Sequence, residues 1–325
     1  MIKKISVFCT LGPSSLNKDF LSFSDKKQID LLRINMSHVT LKKLPNYINY
    51  IRQFTTIPIC IDTEGAQIRT SLKIKKFFKK NEYFKFLKQK DKNLFYPEHI
   101  DQALKAGDIM LIGFEGLEMK VIKNNSKEIL LKTLCPGIYE INKGVHIQNR
   151  KLKLNFLTNK DYKAIEIGKK YNIKYFALSF TNSKNDIKKF NQLLPKEKKI
   201  YKIETKKALD HFDTIIKHGQ EFLIDRGDLS KEISIEMIPV AQRKILKFSQ
   251  KFKDKKIYVA TNFLESMIEN DFPNRAEVND IFSTLSQGSA GLVLAAETAI
   301  GKNPKNCVNY LTKIIRVFKK YNNRS

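Results

Sequence analysis

The sequence contains no tryptophan, and only nine of its 60 basic residues are arginine. So few arginines make their placement informative: Arg33, Arg69, Arg226 and Arg275 all fall inside turn-like motifs. Cysteine is equally sparse. Cys9, Cys60, Cys135 and Cys307 are widely scattered, with no paired spacing of the kind a zinc site or a disulfide scaffold requires. Cys9 and Cys60 sit inside apolar runs and read as small buried hydrophobes, so a reducing cytoplasm is the expected compartment. No apolar run reaches the length of a membrane span. Met1-Ile2-Lys3-Lys4 leads straight into a strand-like segment, without the apolar stretch of a signal peptide. Internal repeats and low-complexity tracts are missing as well.

What the chain has in excess is lysine. The formal net charge is +27 over 325 residues. Such a balance ordinarily points to nucleic acid. Here the lysines are spread over almost every segment, whereas a binding footprint concentrates on one face. Polyanion binding is therefore a side property, and no specific nucleic-acid or membrane partner is expected. With 42% hydrophobic residues, the chain has ample material for a core.

Apolar β-type runs recur at 5–10, 31–36, 57–62, 175–180, 199–203, 222–224, 257–261 and 291–294. Amphipathic helical stretches such as 160–170 and 238–251 separate several of them. Eight runs with helices between them predict an α/β fold, a (β/α)8 TIM barrel. The gap between the third and fourth runs is too long for one helix. It carries short alternating strands at 118–122 and 128–133 and turn signals at Gly107 and Pro136-Gly137. The domain reading is a barrel of 1–70 and 147–325 with a small β-rich lid domain, 71–146, inserted after the third strand. A last helix at 308–319 is expected to leave nothing large after the barrel.

Chemistry in such a barrel gathers at the C-terminal ends of the strands. Lys202 and Glu204 alternate across Ile203 and so share one face of a strand. Asp225-Arg226-Gly227-Asp228 ends the next run and Thr261 the one after it. Either stretch alone reads as a surface ion pair. Together they describe a lysine and carboxylates converging on one rim, a set suited to phosphate and a divalent metal.

These residues resemble the pyruvate kinase family along nearly the whole chain. The matching segments are Thr10-Leu11-Gly12-Pro13-Ser14-Ser15, Arg33-Ile34-Asn35-Met36-Ser37-His38 and Asp62-Thr63-Glu64-Gly65-Ala66-Gln67-Ile68-Arg69-Thr70. Lys202-Ile203-Glu204, Arg226-Gly227-Asp228-Leu229, Ala260-Thr261, Leu264-Glu265-Ser266-Met267, Arg275-Ala276-Glu277 and Glu297-Thr298-Ala299 continue the match. The resemblance implies phosphoryl transfer between phosphoenolpyruvate and ADP, giving pyruvate and ATP. It implies that Lys202 and Arg33 contact the phosphoryl group, with Lys202 acting on the transition state and having little part in stability. Glu204 and Asp228 are implied as magnesium ligands. The Gly227 and Asp228 amides are implied to receive the substrate carboxylate, and Thr261 to lie where the enolate is protonated. Asn35, His38, Arg69 and Lys143 are implied nucleotide contacts, and Asn35, Ser37, Asp62 and Thr63 the oxygens for a weakly held potassium.

Several positions depart from that family's pattern. Glu64 stands where the family has lysine, a charge reversal beside an anionic substrate. Gln67 replaces a glutamate, Asn182 an arginine, and Asp225 a small residue. In the lid, Gly113-Phe114-Glu115 replaces an Asp-Asp-Gly turn, Pro136-Gly137 replaces a glycine pair, and the run ending at Asn149 lacks the family's Asn-Pro-Gly. The family's C-terminal domain is expected to be missing, which leaves a homodimer as the largest assembly in view. A paralogue with another phosphoryl acceptor and a catalytically weak scaffold are the competing readings.

Overall fold

The computed structural model describes residues 4–323, apart from Gln28, Asp91, Phe114, Glu115, Asn149, Lys151 and Lys153. The lid departures at Phe114, Glu115 and Asn149 thus lie outside the described residues. The chain divides into two compact units, Met1–Gly65 with Asn159–Ser325, and Ala66–Thr158. The second unit reaches further on both sides than 71–146; on the N-terminal side Ile68–Thr70 pairs antiparallel with Gly144–Ile147 in its sheet.

The first unit is a closed barrel of eight parallel strands. In chain order they are β1 (Ser6–Thr10), β2 (Leu31–Asn35), β3 (Ile59–Asp62), β4 (Tyr175–Leu178), β5 (Lys198–Ile203), β6 (Glu221–Asp225), β7 (Lys256–Ala260) and β8 (Gly291–Leu294). Each pairs with its sequence neighbours, and β8 closes onto β1 with Ser6 opposite Gly291. The helix of Asn159–Lys170 starts at the boundary of the two units, and the terminal helix runs over Pro304–Asn322. No helix among the described residues is long and apolar enough to cross a membrane.

The barrel interior carries an apolar layer of Phe8, Leu31, Cys60, Ala177, Ile200, Leu223, Tyr258, Ala260 and Val293. Strand side chains alternate, so the residue two positions later on each strand points inward again. Two steps on from Phe8, Leu31, Cys60, Ala177, Ile200 and Leu223 stand Thr10, Arg33, Asp62, Ser179, Lys202 and Asp225. A polar, charged layer is therefore stacked directly on the apolar one, at the C-terminal end of the barrel.

The second unit is built on a seven-stranded antiparallel sheet and a two-stranded one. Its own core includes Phe78, Phe95, Met110, Leu117, Met119, Leu131 and Tyr139. Tyr139 keeps its hydroxyl satisfied inside that core by donating to the Leu94 carbonyl at 2.8 Å.

Candidate active site

Lys202 is the centre of the charged layer. Its ammonium lies 3.0 Å from Glu204 Oε2, 3.1 Å from Asp225 Oδ2 and 3.6 Å from Asp62 Oδ2. All four side chains are buried. Burial works against the charged lysine, but Asp62, Glu204 and Asp225 outweigh it and hold the ammonium well above the usual lysine range. Arg33 is buried beside them, with Nη1 3.3 Å from Asp62 Oδ2. The layer thus buries three carboxylates against two bases. Asp228, half-buried one turn on, pairs with Lys231 at 2.6 Å.

Glu204 is the strained member of this set. Its Oε1 accepts the Phe180 N–H at 2.6 Å, while Oε2 is buried and accepts no hydrogen bond among the described residues. Its carboxyl is raised to about 8: desolvation pushes it up most, Lys202 and the Phe180 N–H pull it down, and Asp228 and Asp225 push it up. Asp62 likewise buries an Oδ2 that accepts no hydrogen bond. Glu204, Asp225 and Asp228 each offer one oxygen within 4.8 Å of the others. Hard carboxylate oxygens, one of them buried and without a hydrogen bond among the described residues, fit a magnesium ion, which would take the place of the proton that burial holds on Glu204.

On the other side of Asp225 the chain turns through a short helix, Arg226–Leu229. Arg226 fixes this turn by donating to the Thr261 carbonyl and to Asp280 Oδ2 (2.7 Å), with its guanidinium 4.2 Å above the Phe263 ring. The Gly227 N–H donates to Thr261 Oγ1 at 2.9 Å. That amide, expected to be open for a substrate carboxylate, is bonded to the Thr261 hydroxyl in this structure. Thr261 itself sits at φ 75°, a left-handed conformation that a β-branched residue adopts only when its surroundings impose it.

The remaining expected residues separate into smaller groups. Asn35 Oδ1 accepts the Ser37 N–H at 3.0 Å, and His38, exposed, continues that turn. Thr63 Oγ1 accepts the Ser179 N–H at 3.0 Å, and the Thr63 carbonyl accepts from Ser179 Oγ at 2.7 Å. In the second unit, Arg69 and Gly144 are register partners, so Lys143 lies beside Arg69; Arg69 Nη1 donates to the Asn142 carbonyl at 2.9 Å and Lys143 pairs with Glu140 at 3.4 Å.

Comparison with known proteins places this geometry. The sequence model described as pyruvate kinase, barrel domain, matches residues 2–308. A pyruvate kinase of Thermotoga maritima is 32% identical over 97% of this chain and 71% of its own length. One of Methanocaldococcus jannaschii is 33% identical over 98% of the chain and 70% of its own length. A third, from Buchnera aphidicola, is 31% identical over 97% and 70%. The chain belongs to the pyruvate kinase family.

Two of the departures from that family's pattern look different in three dimensions. Glu64 is not an uncompensated charge: its Oε1 lies 2.7 Å from Lys160 Nζ, and Asp161 accepts the Glu64 and Gly65 amides at 2.7 and 3.1 Å. The charge reversal is neutralised from a residue almost a hundred positions away, which local sequence cannot reveal. Asp225 is the residue sequence reasoning left out of the site. The signal was present, since Asp225 follows the interior residue Leu223 by one strand period. Ser179, 3.4 Å from Lys202 Nζ through its Oγ, was passed over in the same way.

Proposed function

We propose that this chain is a magnesium-dependent phosphotransferase acting between phosphoenolpyruvate and ADP, with pyruvate and ATP as products. The observation that carries the reading is the buried ammonium of Lys202, set among Glu204, Asp225 and Asp62 at the C-terminal end of the barrel. A phosphoryl group in transfer spreads negative charge over its equatorial oxygens, and a preorganised ammonium and guanidinium stabilise that charge more strongly than water does. Lys202 and Arg33 are assigned this role. Magnesium, held by Glu204 and Asp228, supplies charge neutralisation and orientation of substrate oxygens when bound.

The substrate carboxylate is assigned to the turn of Gly227 and Asp228. Reaching the Gly227 amide requires it to replace the Thr261 hydroxyl as acceptor, which leaves that hydroxyl with its donated bond to the Ala260 carbonyl. Thr261 is then positioned to pass a proton to the enolate through water. Nucleotide contacts are assigned to Asn35, His38, Arg69 and Lys143. Potassium is assigned to Asn35, Ser37, Asp62 and Thr63 and is held weakly, because the side-chain oxygens of Asn35 and Thr63 already accept backbone hydrogens. The setting is cytoplasmic.

The test is direct. Purified protein is supplied with phosphoenolpyruvate, magnesium and a panel of nucleoside diphosphates, and pyruvate release is followed. Release with ADP is expected, and it should stop when magnesium is chelated. No pyruvate with any nucleotide would overturn the reading.

A further inference from the structure

Among the helices that surround the barrel, a concave pocket of about 850 Å³ opens between the short helices Lys206–Asp210 and Phe212–Ile215 and the longer helix Ile238–Ser249. None of its lining residues belongs to the charged layer. Ala241, Ile245 and Phe248 recur at helical spacing and give the pocket one apolar wall, while Leu209 and Phe212 give the other. The Phe212 and Phe248 rings lie 6.2 Å apart, centroid to centroid, and join the two walls. Met237 and Val240 also line the pocket and are exposed, which leaves apolar surface in water unless something covers it.

One edge of the pocket is basic. Lys244, Lys247 and Lys251 follow one another along the long helix and just past its end, and none of them pairs with a carboxylate among the described residues. Lys251 folds back over the Phe248 ring, its ammonium 5.1 Å from the centroid. Of the two acids that line the pocket, Asp210 is taken by Lys206 at 3.0 Å, which leaves Asp213 alone against three ammonium groups. A second copy of the chain is a poor occupant, because a symmetric contact would set these lysines against their own kind. The pocket's size instead falls in the range of about 300–1,000 Å³ that takes small molecules. An apolar cleft with unpaired ammonium groups on its lip suits a hydrocarbon chain that ends in an anion. We propose that this pocket binds a single-chain amphiphilic carboxylate, its chain against Phe212, Ile245 and Phe248 and its head on Lys244 and Lys247. The proposal stands apart from the phosphotransferase reading, since it uses none of that site's residues.

Decanoate is the probe, titrated by calorimetry into the full chain below its micelle concentration. One equivalent should bind. Decanol, the same chain without the charge, should bind about tenfold more weakly, the difference that a charge-assisted contact brings. Octanoate should lose about fourfold in affinity for each methylene removed. Lys244→Gln combined with Lys247→Gln should abolish the preference for carboxylate over alcohol and leave decanol binding as in the wild type. Ala241→Trp fills the cleft and should remove binding of both, with the circular dichroism spectrum as the check that the chain is folded. Equal affinity for decanoate and decanol in the wild type would overturn the proposal, as would decanoate binding untouched by either variant. Several equivalents bound per chain would also overturn it and mark general adsorption to a lysine-rich surface. No binding at all would overturn it as well. Lys244 and Lys247 are exposed, so their variant keeps the test decisive even if Ala241→Trp does not fold. Pyruvate release, measured separately, decides the phosphotransferase reading whatever decanoate does.

Discussion

Both units bury carboxylates, but they treat them differently. In the second unit Asp101 accepts the Leu94 and Phe95 amides at 2.6 and 2.9 Å, and Asp108 takes a two-pronged contact from Arg150 at 2.6 and 2.7 Å. Each acid closes a local turn, and its bonds explain why it is buried. In the barrel, Glu204 and Asp62 each keep a buried oxygen without a hydrogen bond among the described residues, although two bases lie close by. A buried acid by itself therefore says little. A buried acid left short of hydrogen bonds, with its carboxyl raised by burial, marks where stability has been given up for chemistry.

The comparison can be broken at its strongest point. Lys202→Met should remove phosphoryl transfer, since one such group contributes roughly 3–4 kcal/mol or more to lowering the barrier. The sequence suggested little effect on stability. The structure reverses that: removing the buried cation leaves three carboxylates facing one another, and losing one partner of a buried pair costs about 3–5 kcal/mol. Urea unfolding should show this loss, and added magnesium should recover part of it. Wild-type pyruvate formation by the variant would contradict the assignment.

A second variant probes the other unit. Asp101→Asn can keep only one of the two amide bonds, so stability should fall by about 1–3 kcal/mol, the usual cost of a buried group left unpaired. Magnesium should not repair it. Recovery of this variant by magnesium would mean that the two kinds of buried acid do not differ as argued.

The pH dependence should run in opposite directions at Glu204 and at Asp108. Glu204 has its carboxyl raised, so the folded chain keeps a proton that the unfolded chain releases. Its contribution to the stability of the metal-free protein should therefore decline as pH rises from about 4.5 to about 8. Burial pushes Asp108 up, but Arg150 and the Lys105 amide outweigh it and hold the carboxyl below the usual aspartate range. Its contribution is present above that range and is lost as pH falls through the lowered value. Denaturant titrations across pH, with and without magnesium, separate the two: magnesium should flatten the Glu204 slope alone.

The smallest effect belongs to the exposed pairs. Glu128, the first residue of an interior strand of the second unit's sheet, bridges Lys85 at 2.8 Å and Lys123 at 3.1 Å. Glu128→Gln should leave the melting temperature indistinguishable from wild type, because exposed pairs are screened by water and salt. A clear drop would show that surface charge matters more here than burial.

The eight-stranded barrel was legible in the sequence because its strands are continuous apolar runs, each ending in polar residues. Lys202, Glu204, Arg33 and Asp62 were legible because motif and strand period agree on them. The charge reversal at Glu64 was legible but its pairing was not, since its partner Lys160 comes after the inserted segment in the sequence. Gly227 was read as an open amide, and no local pattern shows that Thr261, held at positive φ, would accept its hydrogen. Asp225 was visible as a departure but not as part of the layer. Its neighbours there, Lys202 and Glu204, lie on another strand.

The most direct measurement is magnesium-dependent binding of oxalate, an analogue of the enolate, followed as a thermal shift. Only barrel groups are required: the carboxylates of Glu204 and Asp228, the Gly227 amide and Lys202. A shift that grows with oxalate concentration when magnesium is present, and vanishes when it is chelated, is the predicted result. No shift at saturating magnesium would mean that the buried lysine and its carboxylates do not form an enol-phosphate site, and the central assignment would fall.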